Sequence, residues 1–107
     1  MKFGSVAVCG MIVASLWSGA SMAGEHTVGQ KDKAFTQESL SVSVGDTVHF
    51  QNQDPFFHNV YSLSDASTFD LGSYPEGESK SVTFDTPGMI EVECAVHPSM
   101  TMTIDVK

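Results

Sequence analysis

Seven residues near the C-terminus, Cys94-Ala95-Val96-His97-Pro98-Ser99-Met100, gather a thiolate, an imidazole and a thioether. That donor set suits copper better than any other common metal. Cys94 and His97 are three apart and Met100 follows after another three, so one tight loop can bend these donors onto a single ion. A copper centre built for electron transfer takes two histidines and a cysteine in a trigonal plane, with a long axial bond to methionine. The second histidine must come from elsewhere, and His58 is the candidate. It begins an alternating run just after the break at Asp54-Pro55, where it can project from one end of a sheet. His49 sits in mid-strand and reads as an exposed polar residue. His26 offers a different copper chemistry. Cleavage after Ala23 would leave Gly24-Glu25-His26, a free amine with histidine third, and such termini hold Cu(II) in a square-planar nitrogen set. The plainer reading has His26 opening the first strand.

The elements that must position these donors are short strands. Leu40-Ser41-Val42-Ser43-Val44 alternates apolar and polar with period two, as a half-buried strand does. Gly45-Asp46 turns the chain, and Thr47 to Asn52 resumes the alternation with Val48 and Phe50 facing in and His49 out. His58 to Leu63 is a further strand. Residues 64–79, rich in Ser, Asp, Gly and Pro, read as a long excursion in which Phe69, Leu71 and Tyr74 plug the core. Any helix is confined to a turn within Ser64 to Asp70. Ser79 to Phe84 is a strand that ends at the turn Asp85-Thr86-Pro87-Gly88. Met89 to Cys94 follows, with Ile90, Val92 and Cys94 on one face, and Thr101 to Val106 closes the chain. With an N-terminal strand near His26 to Val28, this makes about seven strands. The expectation is an all-β antiparallel sandwich or barrel, with the donor loop joining its last two strands at one end.

The first residues carry an address. Lys2 is a minimal positive start, Val6 to Trp17 is apolar apart from small residues, and Ser21-Met22-Ala23 offers the small residues a signal peptidase reads. The apolar run is short for a bilayer, and Ser15, Ser18, Gly19 and Ser21 dilute its end, which argues against an anchor. Cys9 has no adequate apolar stretch before it to serve as a lipid-attachment site. The expectation is an exported, periplasmic protein: a signal peptide at 1–23 and one domain at 24–107, with no membrane anchor after cleavage. All 13 acidic residues lie in that domain against four lysines, a net charge of −9. Such a surface repels nucleic acid and attracts basic partners or metal ions. Cys94 is the only cysteine left, so no intramolecular disulfide can form, and a lone thiol in an oxidising compartment must be buried or bound. A buried inert cysteine is the alternative that the neighbouring donors oppose. No nucleophile with its base, paired carboxylates or phosphate loop is visible, so an enzyme is not expected.

Three pieces in order carry a resemblance: Leu40-x-Val42-x-x-Gly45-Asp46-x-Val48-x-Phe50-x-Asn52, then His58-Asn59-Val60, then the Cys94-to-Met100 loop. The domain resembles the cupredoxins, the family of plastocyanin, pseudoazurin and amicyanin. It is also similar to plastocyanin-like domains grouped with methylamine-utilisation proteins, through Phe69-Asp70-Leu71-Gly72 and Gly77-Glu78-Ser79-Lys80-Ser81. The resemblance implies a Greek-key β-sandwich and one mononuclear Cu(I)/Cu(II) site of type 1, held by His58, Cys94, His97 and Met100. The loop spacing is most similar to amicyanin, whose methionine stands three residues after the second histidine, and selects Met100. Met102 matches the plastocyanin spacing of five, and it is also in phase with Ile104 and Val106 as a core residue. Three positions depart from the pattern. Ala95 replaces the usual Ser or Thr that braces the Asn after the first histidine. Phe57 replaces the usual Pro before that histidine, and Val96 stands where Pro often precedes the second.

The resemblance further implies single-electron transfer between protein partners by a monomer. His97 would be the solvent-edge ligand, and Ala95, Val96, Pro98, Phe56 and Phe57 would form an apolar docking rim. The acidic surface suits a basic c-type cytochrome or a redox enzyme. Two other classes remain: a copper carrier or resistance protein without a redox partner, and an adhesive sandwich without metal.

Overall fold

The computed structural model describes residues 24–107, so the expected signal peptide lies outside the described residues. Nine strands follow one another without an α-helix among the described residues: β1 (Glu25–Lys31), β2 (Ala34–Phe35), β3 (Ser39–Val42), β4 (Thr47–Asn52), β5 (His58–Ser64), β6 (Ser67–Tyr74), β7 (Ser79–Thr83), β8 (Gly88–Cys94) and β9 (Thr101–Val106). They form two sheets, ordered β2-β1-β4-β7 and β3-β9-β8-β5-β6. The two sheets face each other as a β-sandwich.

Alternation is what closes it. Val48 and Phe50 of β4, Ile90, Val92 and Cys94 of β8, and Met102, Ile104 and Val106 of β9 are all buried. Each set lies at every second residue, hence on one face of its strand. Val28, Val60 and Phe84 complete the fill between the sheets. Phe50 packs against Phe35 edge-on and against Phe69 at a tilt, and Phe69 in turn meets Phe84. A buried polar chain runs through this core: Gln30 Nε2 donates to Tyr74 Oη at 2.8 Å, and Tyr74 donates to the Phe50 carbonyl at 2.9 Å. Burial, together with the negative charge at Cys94, pushes the Tyr74 hydroxyl up to about 12, against the opposing bond from Gln30.

The strand count exceeds the seven expected. The two additions are β2 and β6. The first is only two residues long, held by a hairpin whose turn residues Asp32 and Lys33 both take positive φ, 57° and 60°. The second occupies the stretch read as an excursion. Thr68-Phe69-Asp70-Leu71 does alternate, but Gly72, at φ 73°, and a register shift between Asn59 and Tyr61 interrupt the pattern. There is no helical turn at Ser64 to Asp70; Ser64 pairs with Ser67 across a tight hairpin. The antiparallel expectation also needs correction, because β1–β4 and β3–β9 are parallel. Each parallel pair joins strands whose intervening chain crosses to the other sheet, which local hairpin signals do not reveal.

Candidate metal centre

Two neighbouring strands and one loop build the site. Cys94 is the last residue of β8 and His58 the first of β5, and the β5–β8 ladder pairs Val60 with Cys94. The donor loop spans the end of the β8–β9 hairpin, directly beyond the Glu93–Thr101 pair. It closes on itself through Cys94 N–H to the Met100 carbonyl, 3.2 Å, and Met100 N–H to the His97 carbonyl, 2.8 Å. His97 is thereby turned back over the strand ends. One donor atom from each of His58, Cys94 and His97 lies within 4.8 Å of the others. Cys94 Sγ stands 3.6 Å from His58 Nδ1.

The state of each donor suits a cation. His58 is fully buried, and its Nε2 lies 2.7 Å from Asp54 Oδ2. A carboxylate there holds the proton on Nε2 and leaves the Nδ1 lone pair facing the thiolate position, the arrangement in which an outer carboxylate orients a metal-binding imidazole. His97 Nδ1 is buried and has no hydrogen-bond partner. An unpaired buried nitrogen costs about 1–3 kcal/mol, a cost that metal ligation removes. Cys94 is 1% exposed, and its sulfur accepts the Asn59 N–H at 3.4 Å. A soft thiolate and two imidazoles fit copper or zinc; the buried thioether of Met100 at the loop's end tilts the set towards copper. Met102 is equally buried, but it is paired with Val92 and continues the core face of β9 through Ile104 and Val106.

Phe56 fixes the imidazoles from outside. Its ring centroid is 5.3 Å from that of His58 and 5.2 Å from that of His97, and the two imidazoles are 5.0 Å apart. Of the three clustered donors, only His97 keeps partial exposure. Beside it in the loop Ala95, Val96 and Pro98 are exposed, Val96 at 52%, and Phe57, next to His58 in the chain, is 56% exposed. The departure at Ala95 is bridged by the backbone: Ala95 N–H donates to the Asn59 carbonyl at 3.2 Å. The Asn59 side chain turns instead to Asp70, 3.4 Å away.

Asp54 is the residue that sequence reasoning missed, having registered only as half of a chain break. It is 3% exposed. Besides holding His58, it accepts the N–H groups of Asp32, 2.7 Å, and Lys33, 3.1 Å, and so pins the left-handed turn between β1 and β2. Burial raises its carboxyl, but the bonds from His58, Lys33 and Asp32 outweigh it and hold the group below the ordinary aspartate value. Its own N–H donates to Asn52 Oδ1 at 2.8 Å. The usable signal was the i, i+4 spacing of a carboxylate and a histidine flanking the break.

His49 and His26 stand apart from this cluster. His49 lies partly exposed on β4, 2.5 Å from Glu25. His26 sits in β1 with Nε2 on Asp46, 2.9 Å, while the Gly24 N–H reaches the same carboxylate at 2.7 Å. An amine-and-histidine copper site at the terminus would have to pull Gly24 N away from that contact.

A buried thiolate and two imidazoles at one end of a Greek-key sandwich define a cupredoxin-type metal centre. The sequence profile of the copper binding proteins, plastocyanin/azurin family, matches residues 22–107, and the chain belongs to that family. Copper is the family's cofactor, and His58, Cys94 and His97 form the candidate single copper site, with Met100 nearby. Comparison with curated protein sequences gave no match. Among solved structures, a mutant of amicyanin in its oxidized state is 25% identical at TM-score 0.73, covering 78% of this chain and 83% of its own. A purple cupredoxin from Nitrosopumilus maritimus is 19% identical at TM-score 0.67, covering 76% of this chain and 98% of its own. The Cu-containing nitrite reductase of Thermus scotoductus SA-01 is 24% identical at TM-score 0.72 over 90% of this chain. This chain spans only 25% of that reductase, so the likeness is one of domain fold.

Proposed function

We propose that this protein is a periplasmic one-electron carrier whose type 1 copper is held by His58, Cys94, His97 and Met100, and that it is not an enzyme. The observation that carries the reading is the cluster of one donor atom each from His58, Cys94 and His97 within 4.8 Å, together with a buried His97 Nδ1 that has no hydrogen-bond partner. When bound, copper supplies the one-electron couple. The chain's residues do the rest. Asp54 keeps the proton on His58 Nε2, and the Asn59 N–H to Cys94 Sγ stabilises charge on sulfur. Burial of Cys94 and His58 excludes water and leaves little to rearrange on reduction. His97 supplies the partly exposed edge through which an electron enters and leaves. The apolar rim suits brief encounters. The acidic surface, net −9 over residues 24–107, suits a basic partner such as a c-type cytochrome or a redox enzyme.

The reading includes cleavage of residues 1–23, export of the 24–107 domain and a monomeric state. Met100 is favoured over Met102 as the fourth residue that would hold the metal because Met102 is accounted for by the β9 core. The test adds Cu(II) to the purified domain and records the visible spectrum. An intense thiolate-to-copper charge-transfer band that disappears in Cys94→Ser is expected. A weak spectrum that survives Cys94→Ser would sink the reading and favour a copper carrier.

A further inference from the structure

We propose that Asp46 is the docking site for the amino group of the processed chain, so that cleavage between Ala23 and Gly24 completes the fold with an ammonium–carboxylate contact. The inference rests on the exported-protein reading above but not on copper.

Asp46 is 7% exposed, and among the described residues its ion-pair partner is His26, with no lysine on it. Its oxygens instead collect nitrogens from the start of the domain. Oδ1 accepts Gly24 N–H at 2.7 Å; Oδ2 takes Ser43 N–H at 2.9 Å and contacts His26 Nε2 at 2.9 Å. Gly24 is anchored at its other end as well, where its carbonyl accepts Thr47 N–H at 3.0 Å beside the first rung of the β1–β4 ladder. The approach is close: a Cβ at Gly24 would lie 3.2–3.3 Å from the carboxylate carbon and oxygens of Asp46, so any larger residue would press on the carboxylate. Ser21-Met22-Ala23 independently supplies the small residues read by a signal peptidase, and the bond after them is the one that frees this nitrogen.

Hydrolysis adds one water across the Ala23–Gly24 amide. Ala23 departs with a carboxylate, and Gly24 keeps an amine that is protonated at neutral pH, since α-amino groups titrate near about 7.7–8.0. The neutral N–H donor on Asp46 becomes a cationic one, which forms the shorter and stronger class of hydrogen bond. The sequence alternative of a square-planar Cu(II) site at Gly24-Glu25-His26 needs the same amine, so the two uses exclude each other.

The experiment expresses the full chain, collects the exported protein and measures its intact mass. It then compares, copper-free, the chain beginning at Gly24 with a free amine, the same chain N-acetylated, and both with Asp46→Asn. We expect a mass that begins at Gly24, and an unfolding midpoint higher for the free amine by about 4–8 °C. That difference should vanish in Asp46→Asn. Should Asp46→Asn not fold, NMR titration of the Gly24 amine in the unsubstituted protein decides, and a pKa above the ordinary range supports the contact. A cut at another bond, equal midpoints for the free and acetylated forms, a difference that persists in Asp46→Asn, or an ordinary amine pKa each overturns the proposal.

Discussion

Replacing Asp54 by Asn tests whether a carboxylate outside the donor cluster tunes it. The side chain lies 2.7 Å from His58 Nε2 and is buried, so solvent does little to screen its charge. Asn keeps the shape but removes the negative charge that favours the more positive metal state. Partners of this kind typically change metal affinity by about 10–100-fold. If the low end of that range falls on Cu(II) alone, the reduction potential rises by about 59 mV, the value of a tenfold shift for one electron. Asn also turns its NH₂ group either to the Asp32 N–H or to the Lys33 and His58 N–H groups, so at least one donor is left unpaired. That loss should destabilise the metal-free protein by about 1–3 kcal/mol. The assay is a redox titration followed in the visible band, alongside thermal unfolding of the metal-free protein. An unchanged or lower potential in a natively folded Asp54→Asn protein would refute the reasoning.

Three further outcomes are expected. Met100→Leu should shift the visible spectrum and the potential, whereas Met102→Leu should leave both unchanged and cost under about 1.5 kcal/mol as a volume-conserving core swap; urea unfolding and spectra separate the two. The His26 contact, then the Ser43 and Gly24 N–H groups, hold Asp46 at about 2 against the raising effect of burial. Because its folded value lies below its ordinary value of 3.8, the stabilisation is present above that value and is lost as pH falls towards about 2. Asp46→Asn should flatten that part of the stability–pH curve measured by denaturant titration. Tyr74→Phe removes the link between Gln30 Nε2 and the Phe50 carbonyl, leaving buried polar atoms unpaired, and should cost about 1–3 kcal/mol with the visible spectrum little changed.

The strands most readable in the sequence were those whose own residues determine their pairing. Val48 and Phe50, or Ile90, Val92 and Cys94, repeat with period two because one face of each strand meets the core and the other meets solvent. β2 was not legible, because two residues cannot express a period and its turn, Asp32-Lys33, lacks the glycine that usually marks left-handed geometry. β6 was hidden by Gly72 and by the shift opposite Asn59 and Tyr61. The cluster of His58, Cys94 and His97 was legible because ligand chemistry restricts residue type, and Cys94 and His97 fall within one short loop. The support around them was not. Asp54 reaches the turn at Asp32 and Lys33 through the fold, and Phe56 meets His97 only because the start of β5 and the loop share one end of the sandwich. The parallel pairing of β1 with β4 has no local signature at all.

The donor loop begins where the β8–β9 ladder ends, and six consecutive pairs from Gly88–Val106 to Glu93–Thr101 set the register without it. Strand alignment is therefore insulated from loop chemistry. A residue inserted between Cys94 and Met100 would be absorbed beyond the last rung, since lengthening a loop costs little in closure entropy. It would not slide apolar faces to the wrong side. That separation makes the loop a natural cassette for redesign.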